Sequence, residues 1–339
     1  MIEIIRPGAQ ASVQDLGRVG FRRFGVGRSG AADGLALRIG NRLLGNDPNA
    51  AAIEFTLGRA AVRFDVDMRV ALTGAECSAN LDGVSVWSWH AFDVRRGETL
   101  TLPAPRGGTR TYLCAAGGID VPLVMNSRST DLKSNFGGFE GRVLKESDRL
   151  PVGRPGIDTD RDWVGVAAPG WALPVNRDGN ALVIRMLAGP EYPDFDDESQ
   201  AALWSAEWAI TPQSNRMGLR LQGPALARRA DRSGDLLSHG VMPGVMQVPP
   251  NGQPIALMSD AQTTGGYPKI GTVIGADLWR LAQVPLGGSV RFQQVSIDEA
   301  ATAQAEVDRY LRQIDQALRW QGDGMQIAAR RRTTTRFVA

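Results

Sequence analysis

Forty glycines and nineteen prolines interrupt this chain of 339 residues so often that few stretches could carry a long helix. Glycine raises the entropic cost of any regular element, and proline removes a backbone donor and fixes φ. Punctuation at this density weighs against an all-helical fold and points to many short strands joined by turns. Hydrophobic residues at 43% and charged residues at 22% supply an ordinary soluble core, enough for one large or two average domains. Lys+Arg 38 against Asp+Glu 36 leaves a formal charge of only +2, which argues against the basic stripe of a nucleic-acid binder.

The pattern along the chain supports the same reading. Residues 1–30 open with a short apolar strand and a polar, glycine-rich loop. A helix follows, with Asp33 placed to cap it, Leu35, Ile39, Leu43 and Leu44 on one face, and Gly45 where a left-handed cap belongs. From Ala60 to Pro151 short alternating runs such as Val62–Val66 and Thr99–Leu102 read as strands and turns. Residues 152–181 are rich in Pro, Gly, Asp and Trp without a sustained period, and a domain junction is placed there. Residues 182–187 restart as a buried strand, and a helix containing Leu203 and Trp204 follows. Val307, Tyr310, Leu311, Ile314 and Leu318 repeat at helical spacing, and Arg330–Arg332 begin an expected frayed, solvated tail. The expected units are 1–165, 182–296 and 297–339, the last a C-terminal helix and basic tail. A faint echo between residues 102–122 and 248–268, each with an early proline, an apolar strand, a glycine pair and a closing proline, suggests two related β-barrels.

Several chemistries find no support. The chain has no G-x-x-x-x-G-K-[ST] loop, G-x-S-x-G elbow or H-E-x-x-H pair. Cys77, Cys114, His90 and His239 lack paired spacing, so neither a zinc site nor a disulfide framework is expected. No basic-then-apolar leader and no apolar window of about 18 residues is visible, so a cytoplasmic location without membrane contact is expected. His90 lies in an aromatic run and reads as a packing residue, whereas His239, in a loop before Pro243, has the stronger claim to function.

Four loops concentrate glycine, hydroxyl and charged residues. The first begins Gln14-Asp15-Leu16-Gly17-Arg18 and continues through Gly30, Asp33 and Asn41 to Glu54. The second runs Asn126–Asp131 (with Arg128, Ser129 and Thr130) and on through Gly137–Arg142; the third is Ser214–Gly218, with Asn215 and Arg216; the fourth is Asp260–Pro268. Glycine lets a ligand approach the backbone, and arginine grips carboxylate or phosphate with a fork of donors. Lysine is nearly absent (Lys133, Lys145 and Lys269), so cationic recognition falls to arginine. Tight turns with surface ion pairs are the alternative for any single loop. Asp15, Asp33 and Asp260 are the candidate bases or orienting carboxylates, and spacing does not say which of them meet.

RPG…SVQDLGR.G at 6–20, GAADGLALRIGNRLLGN at 30–46 and GGIDVPLVMNSRSTDLKSNFGGFEGRVLKESDRLPV at 117–152 resemble the biotin-dependent carboxyltransferase/allophanate hydrolase subunit 2 family. SNRMGLRLQGP at 214–224 and the run from Met242 to Gln283 extend the resemblance to about residue 293. The family implies a mainly β chain with peripheral helices, built as two cyclophilin-like β-barrel domains. Its stand-alone members are 5-oxoprolinase C subunits, which implies action with the B and A subunits of that enzyme, using ATP with Mg2+ to open 5-oxoproline to L-glutamate. The resemblance further implies that Arg18, Arg128, Arg142 and Arg216, with Ser129, Thr130, Asn215 and Gln247, bind carboxylate or phosphate. Thr263, Thr264, Gly265 and Gly266 would cradle an anion, and Tyr267 would close over the ring. The same fold serves urea carboxylase, so a biotin-dependent carboxyltransferase acting on urea or a related small amide is the alternative. The absence of an attached biotin carboxylase or carrier segment favours the stand-alone oxoprolinase component. A non-catalytic regulator of a kinase-inhibitor-like B subunit is the third reading.

Overall fold

Alternation of apolar and polar residues in Ile2–Arg6 buries Ile2 and Ile4 on one face, and this strand pairs antiparallel with Ala60–Phe64 (Ile2 opposite Phe64). The two belong to a six-stranded sheet that continues through Thr99–Leu102. A second six-stranded sheet carries Gln10–Gln14, Ala52–Thr56, Gly107–Ala115, Met68–Glu76 and His90–Val94 side by side. The sheets face each other across one core, with Ile4, Val62, Phe64 and Leu100 from the first meeting Phe55, Leu72, Phe92 and Leu113 from the second. The computed structural model describes the chain except residues 156–163, 173–176, 179–180, 233–235 and 335–339. Much of the expected junction at 152–181, and the last five residues of the expected tail, lie outside the described residues.

The second half closes on itself. Ala181–Ala188, Lys269–Val273, Val245–Gln247, Ile255–Leu257, Gly218–Gln222, Trp208–Ile210 and Ser289–Gln294 follow one another around a seven-stranded barrel. The ring is completed by a parallel pairing of Ser289–Gln294 with Ala181–Ala188, Leu182 opposite Val290. Ile184, Met186, Trp208, Met246 and Phe292 fill its interior. The chain is thus mainly β, with one barrel-like half of two facing sheets and one closed barrel.

The helices are peripheral. α1 (Gly34–Leu43) starts at Asp33, whose side chain accepts from the Ala36 amide at 2.9 Å, and ends at Gly45 with φ +67°. Gly40 of α1 lies so close to Cys114 and Thr73 of the sheet beneath that a Cβ would collide with the sulfur. α2 (Asp197–Ser205) contains the expected Leu203 and Trp204, and α3 (Leu278–Gln283) lies against both halves. α4 (Ile297–Thr334) buries Ala303, Val307, Tyr310, Leu311, Ile314 and Leu318 in a core shared with α1. The helical backbone of α4 runs through Arg330–Arg332 to Thr334.

Candidate functional site

The strand Gln10–Gln14 delivers Asp15 to the foot of the second loop. The Asp15 carboxylate accepts from the Gly17 amide (2.7 Å), Ser127 Oγ (2.7 Å), Ser129 Oγ (2.5 Å) and the Arg128 amide (2.6 Å). Four donors fill the usual capacity of a carboxylate, so in this geometry Asp15 fastens two loops together. Thr130 is tied to the same strand through its amide and hydroxyl, both donating to the Val13 carbonyl.

Arg18 follows from this loop and is fully buried. One of its nitrogens, Nη2, donates to the Ser129 carbonyl, and the guanidinium lies 4.5 Å from the centre of the Phe136 ring. Nε and Nη1 are buried without a hydrogen-bond partner among the described residues. Burial lowers the Arg18 pKa from the ordinary arginine value, and Asp131, Asp15 and Asp260 act in the opposite direction. Gly137, at φ +69°, is needed here because a Cβ would run into Arg18 Nη2 and the Ser129 carbonyl.

The fourth loop meets this group from the second half. Arg22 donates to the carbonyls of Val241 and Gln262, and Gly27 packs between Asp131 and Ala261. Gln262 donates to Gln247 at 3.1 Å, and Gln247 lies 3.5 Å from the Tyr267 carbonyl. Thr264 and Gly265 pair with Gly240 and His239 as a short ribbon beside Thr263, Gly266 and Tyr267; Tyr267 is about half exposed. His239 Nε2 lies 3.2 Å from Glu191 Oε1 and touches Lys269 Nζ. Burial lowers the Lys269 pKa, and Glu191 partly offsets it.

Arg216 bolts the halves together. Its Nε and Nη2 form a bidentate pair with Asp260 at 2.9 Å each, Nη1 donates to Glu54 and Nη2 also donates to the Gly30 carbonyl at 2.6 Å. Glu54 Oε2 further accepts from Tyr112 Oη (2.6 Å) and the Ala32 amide (2.9 Å). Burial alone would raise Glu54, but Arg216 and Arg110, with the tyrosine hydroxyl, hold it below the usual value. Asp260 is raised by burial despite Arg216. Asp33 is joined to this lattice through its amide on Tyr112 Oη and through Gln283, which donates to it at 2.8 Å. Burial lifts its carboxyl to about 6.

Asp15, Arg18, Ser129 and Thr130 therefore form one group, Gln247 and residues 263–267 a second, and Arg216, Asp260 and Asp33 the lattice that links the halves. Three other predicted residues remain on their own loops. Asn215 accepts from the Met217 amide within a turn, Arg128 pairs with Asp120 at 2.9 Å, and Arg142 grips Asp148 and Glu140. Asp148 and then Glu140 raise the Arg142 pKa. Sequence reasoning named Glu54 and Asp131 without a role and missed Tyr112, Gln283 and Lys269. A lone acid within the apolar run Ala-Ala-Ile-Glu-Phe was the signal for Glu54.

Comparison with known proteins agrees with this architecture. The model of the carboxyltransferase domain, subdomains A and B, matches residues 24–294. The 5-oxoprolinase C subunit of Escherichia coli K12 is 52% identical over 314 residues, covering 93% of this chain and 97% of that protein. Its counterpart from Haemophilus influenzae is 45% identical with the same coverage of both chains. The crystal structure of K. lactis urea amidolyase matches with a TM-score of 0.84 at 28% identity, over 92% of this chain and 20% of that one. This chain belongs to the carboxyltransferase domain (subdomain A and B) family and groups with 5-oxoprolinase C subunits.

Proposed function

We propose that this chain is the C subunit of a cytoplasmic, ATP-dependent 5-oxoprolinase that converts 5-oxoproline to L-glutamate together with B and A subunits. The observation that carries the reading is the 52% identity to the E. coli protein, over 97% of its length. The buried Arg18, with two nitrogens unpartnered among the described residues, supports it on chemical grounds. Those nitrogens suit an anionic oxygen, whether the substrate carboxylate or a phosphoryl group. ATP with Mg2+, when bound by the complex, supplies the phosphoryl group that converts the lactam oxygen into a leaving group.

This chain's own residues bind and orient in this reading. Arg18, backed by Asp131 and Asp260, meets the anionic head, while Thr263, Thr264 and the backbone of Gly265 and Gly266 complete the cradle. Tyr267, on the surface beside it, closes over the ring. Ser129 and Thr130 set the position of Arg18, and Arg216 fixes the two halves on which the groups stand. Burial lifts the Asp33 carboxyl to about 6, which suits a proton carrier.

Purified three-chain complex is expected to consume 5-oxoproline with release of ADP and glutamate. A biotin-dependent carboxylation of urea without 5-oxoproline turnover would overturn the reading. That second activity is supported by the match to urea amidolyase, and biotin would be its carrier. Tight assembly with the B subunit without any turnover would favour the non-catalytic regulator.

A further inference from the structure

A cavity of about 340 Å3 lies between α1, α3 and α4, and its side chains belong to neither the Arg18 group nor the Arg216 lattice. Arg28, Ser29, Arg38, Ser259 and Trp279 line it, with Leu278 and Val307 among its apolar wall. Three of its polar atoms have no hydrogen-bond partner among the described residues although they are buried: Ser29 Oγ, Ser259 Oγ and Trp279 Nε1. Ser29 is 2% exposed and Ser259 is 8% exposed, so solvent does not satisfy them.

The charges around the cavity are unbalanced in the same sense. Arg28 uses Nε on the Leu16 carbonyl at 3.2 Å, and among the described residues neither Arg28 nor Arg38 has a carboxylate within ion-pair distance. The groups acting on Arg38 are Arg42 and Arg28, of like charge, and Asp308 of α4, which itself accepts from Gln304 at 3.1 Å. Burial and the two arginines lower the Arg38 pKa. Gly34 and Leu35, in the first turn of α1 behind its Asp33 cap, also line the cavity. Donors and positive potential thus converge on a space with an indole on one wall.

We infer that this cavity is a binding site for a small organic acid, its carboxylate between Arg28 and Arg38 and its apolar body against Trp279. Ser29 and Ser259 donate to the head group. Cavities that bury metabolite-sized ligands begin at roughly this volume. The site is independent of the 5-oxoprolinase reading, because binding is measured on the isolated full-length chain.

Benzoate and its uncharged counterpart benzamide are the probes, titrated calorimetrically. Benzoate is expected to bind with 1:1 stoichiometry, roughly tenfold or more tightly than benzamide, the usual effect of one charge-assisted hydrogen bond. Arg38→Gln is expected to abolish that preference, and Ser259→Ala, which removes an unpartnered hydroxyl and leaves the fold intact, to weaken benzoate about threefold. Absence of benzoate binding at about 10 mM, equal affinity for the two probes, or an unchanged preference in folded Arg38→Gln overturns the inference.

Discussion

Replacing Arg216 by methionine tests whether the lattice between the halves holds them together. The guanidinium is 4% exposed and is the shared counter-ion of Glu54 and Asp260, which lie on opposite sides of the interface. Methionine fills similar space but leaves two buried carboxylates facing each other. Breaking a buried pair by removing one partner costs about 3–5 kcal/mol. An unfolding entropy of about 2.1 cal/mol/K per residue gives about 0.7 kcal/mol/K for a chain of 339 residues, so the midpoint should fall by about 4–7 °C. The deficit should also depend on pH. Without Arg216 the folded pKa values of Glu54 and Asp260 rise above their unfolded values, so the penalty is absent below those unfolded values and grows as pH rises. In the unmodified protein the lowered Glu54 contributes stability above its unfolded pKa and loses it as pH falls. The first effect shrinks the deficit between about pH 7.5 and pH 4.5, and the second adds to it only below about pH 4.5. Differential scanning calorimetry of the two proteins across that range measures it. A drop under about 1 °C at neutral pH, or a deficit that does not change with pH, would refute the argument.

Arg18→Met exchanges a buried guanidinium for an apolar side chain, so the midpoint is expected to hold or rise while turnover of the complex falls about 100-fold; unchanged turnover removes Arg18 from the site. Asp33, with a folded pKa of about 6, makes the protein lose stability as pH rises from its unfolded value to about 6; Asp33→Asn keeps a capping side chain, and urea titrations at several pH values should show that slope gone. Gly137→Ala puts a Cβ into Arg18 and Ser129 at a left-handed φ, so it should lower the midpoint and disable turnover together, whereas Gly20→Ala, with open space around it and φ +93°, should cost only its backbone strain, about 1–3 kcal/mol. Burial raises the Cys77 and Cys114 thiols to about 11 and about 12, so a thiol reagent at pH 8 should find them only after denaturation.

The cap at Asp33, the left-handed Gly45 and the α4 stripe from Val307 to Leu318 were legible because each is a pattern within a few residues. Among the candidate residues, the chain disclosed the residue types and the loops that hold them. It did not disclose that the Arg142 and Arg128 forks are engaged by neighbouring acids, or that Asp33 reaches Arg216 through Tyr112 and Glu54.

The sequence by itself determined a β-rich chain with peripheral helices, its family and the four loops in which ligand chemistry is concentrated. Tertiary structure alone decided which of those loops meet. Ser129 reaches Asp15 across 114 residues and Arg216 reaches Glu54 across 162. Helix caps and strand alternation depend on neighbours a few positions away, whereas these contacts depend on sheet register and barrel closure, which no local spacing encodes.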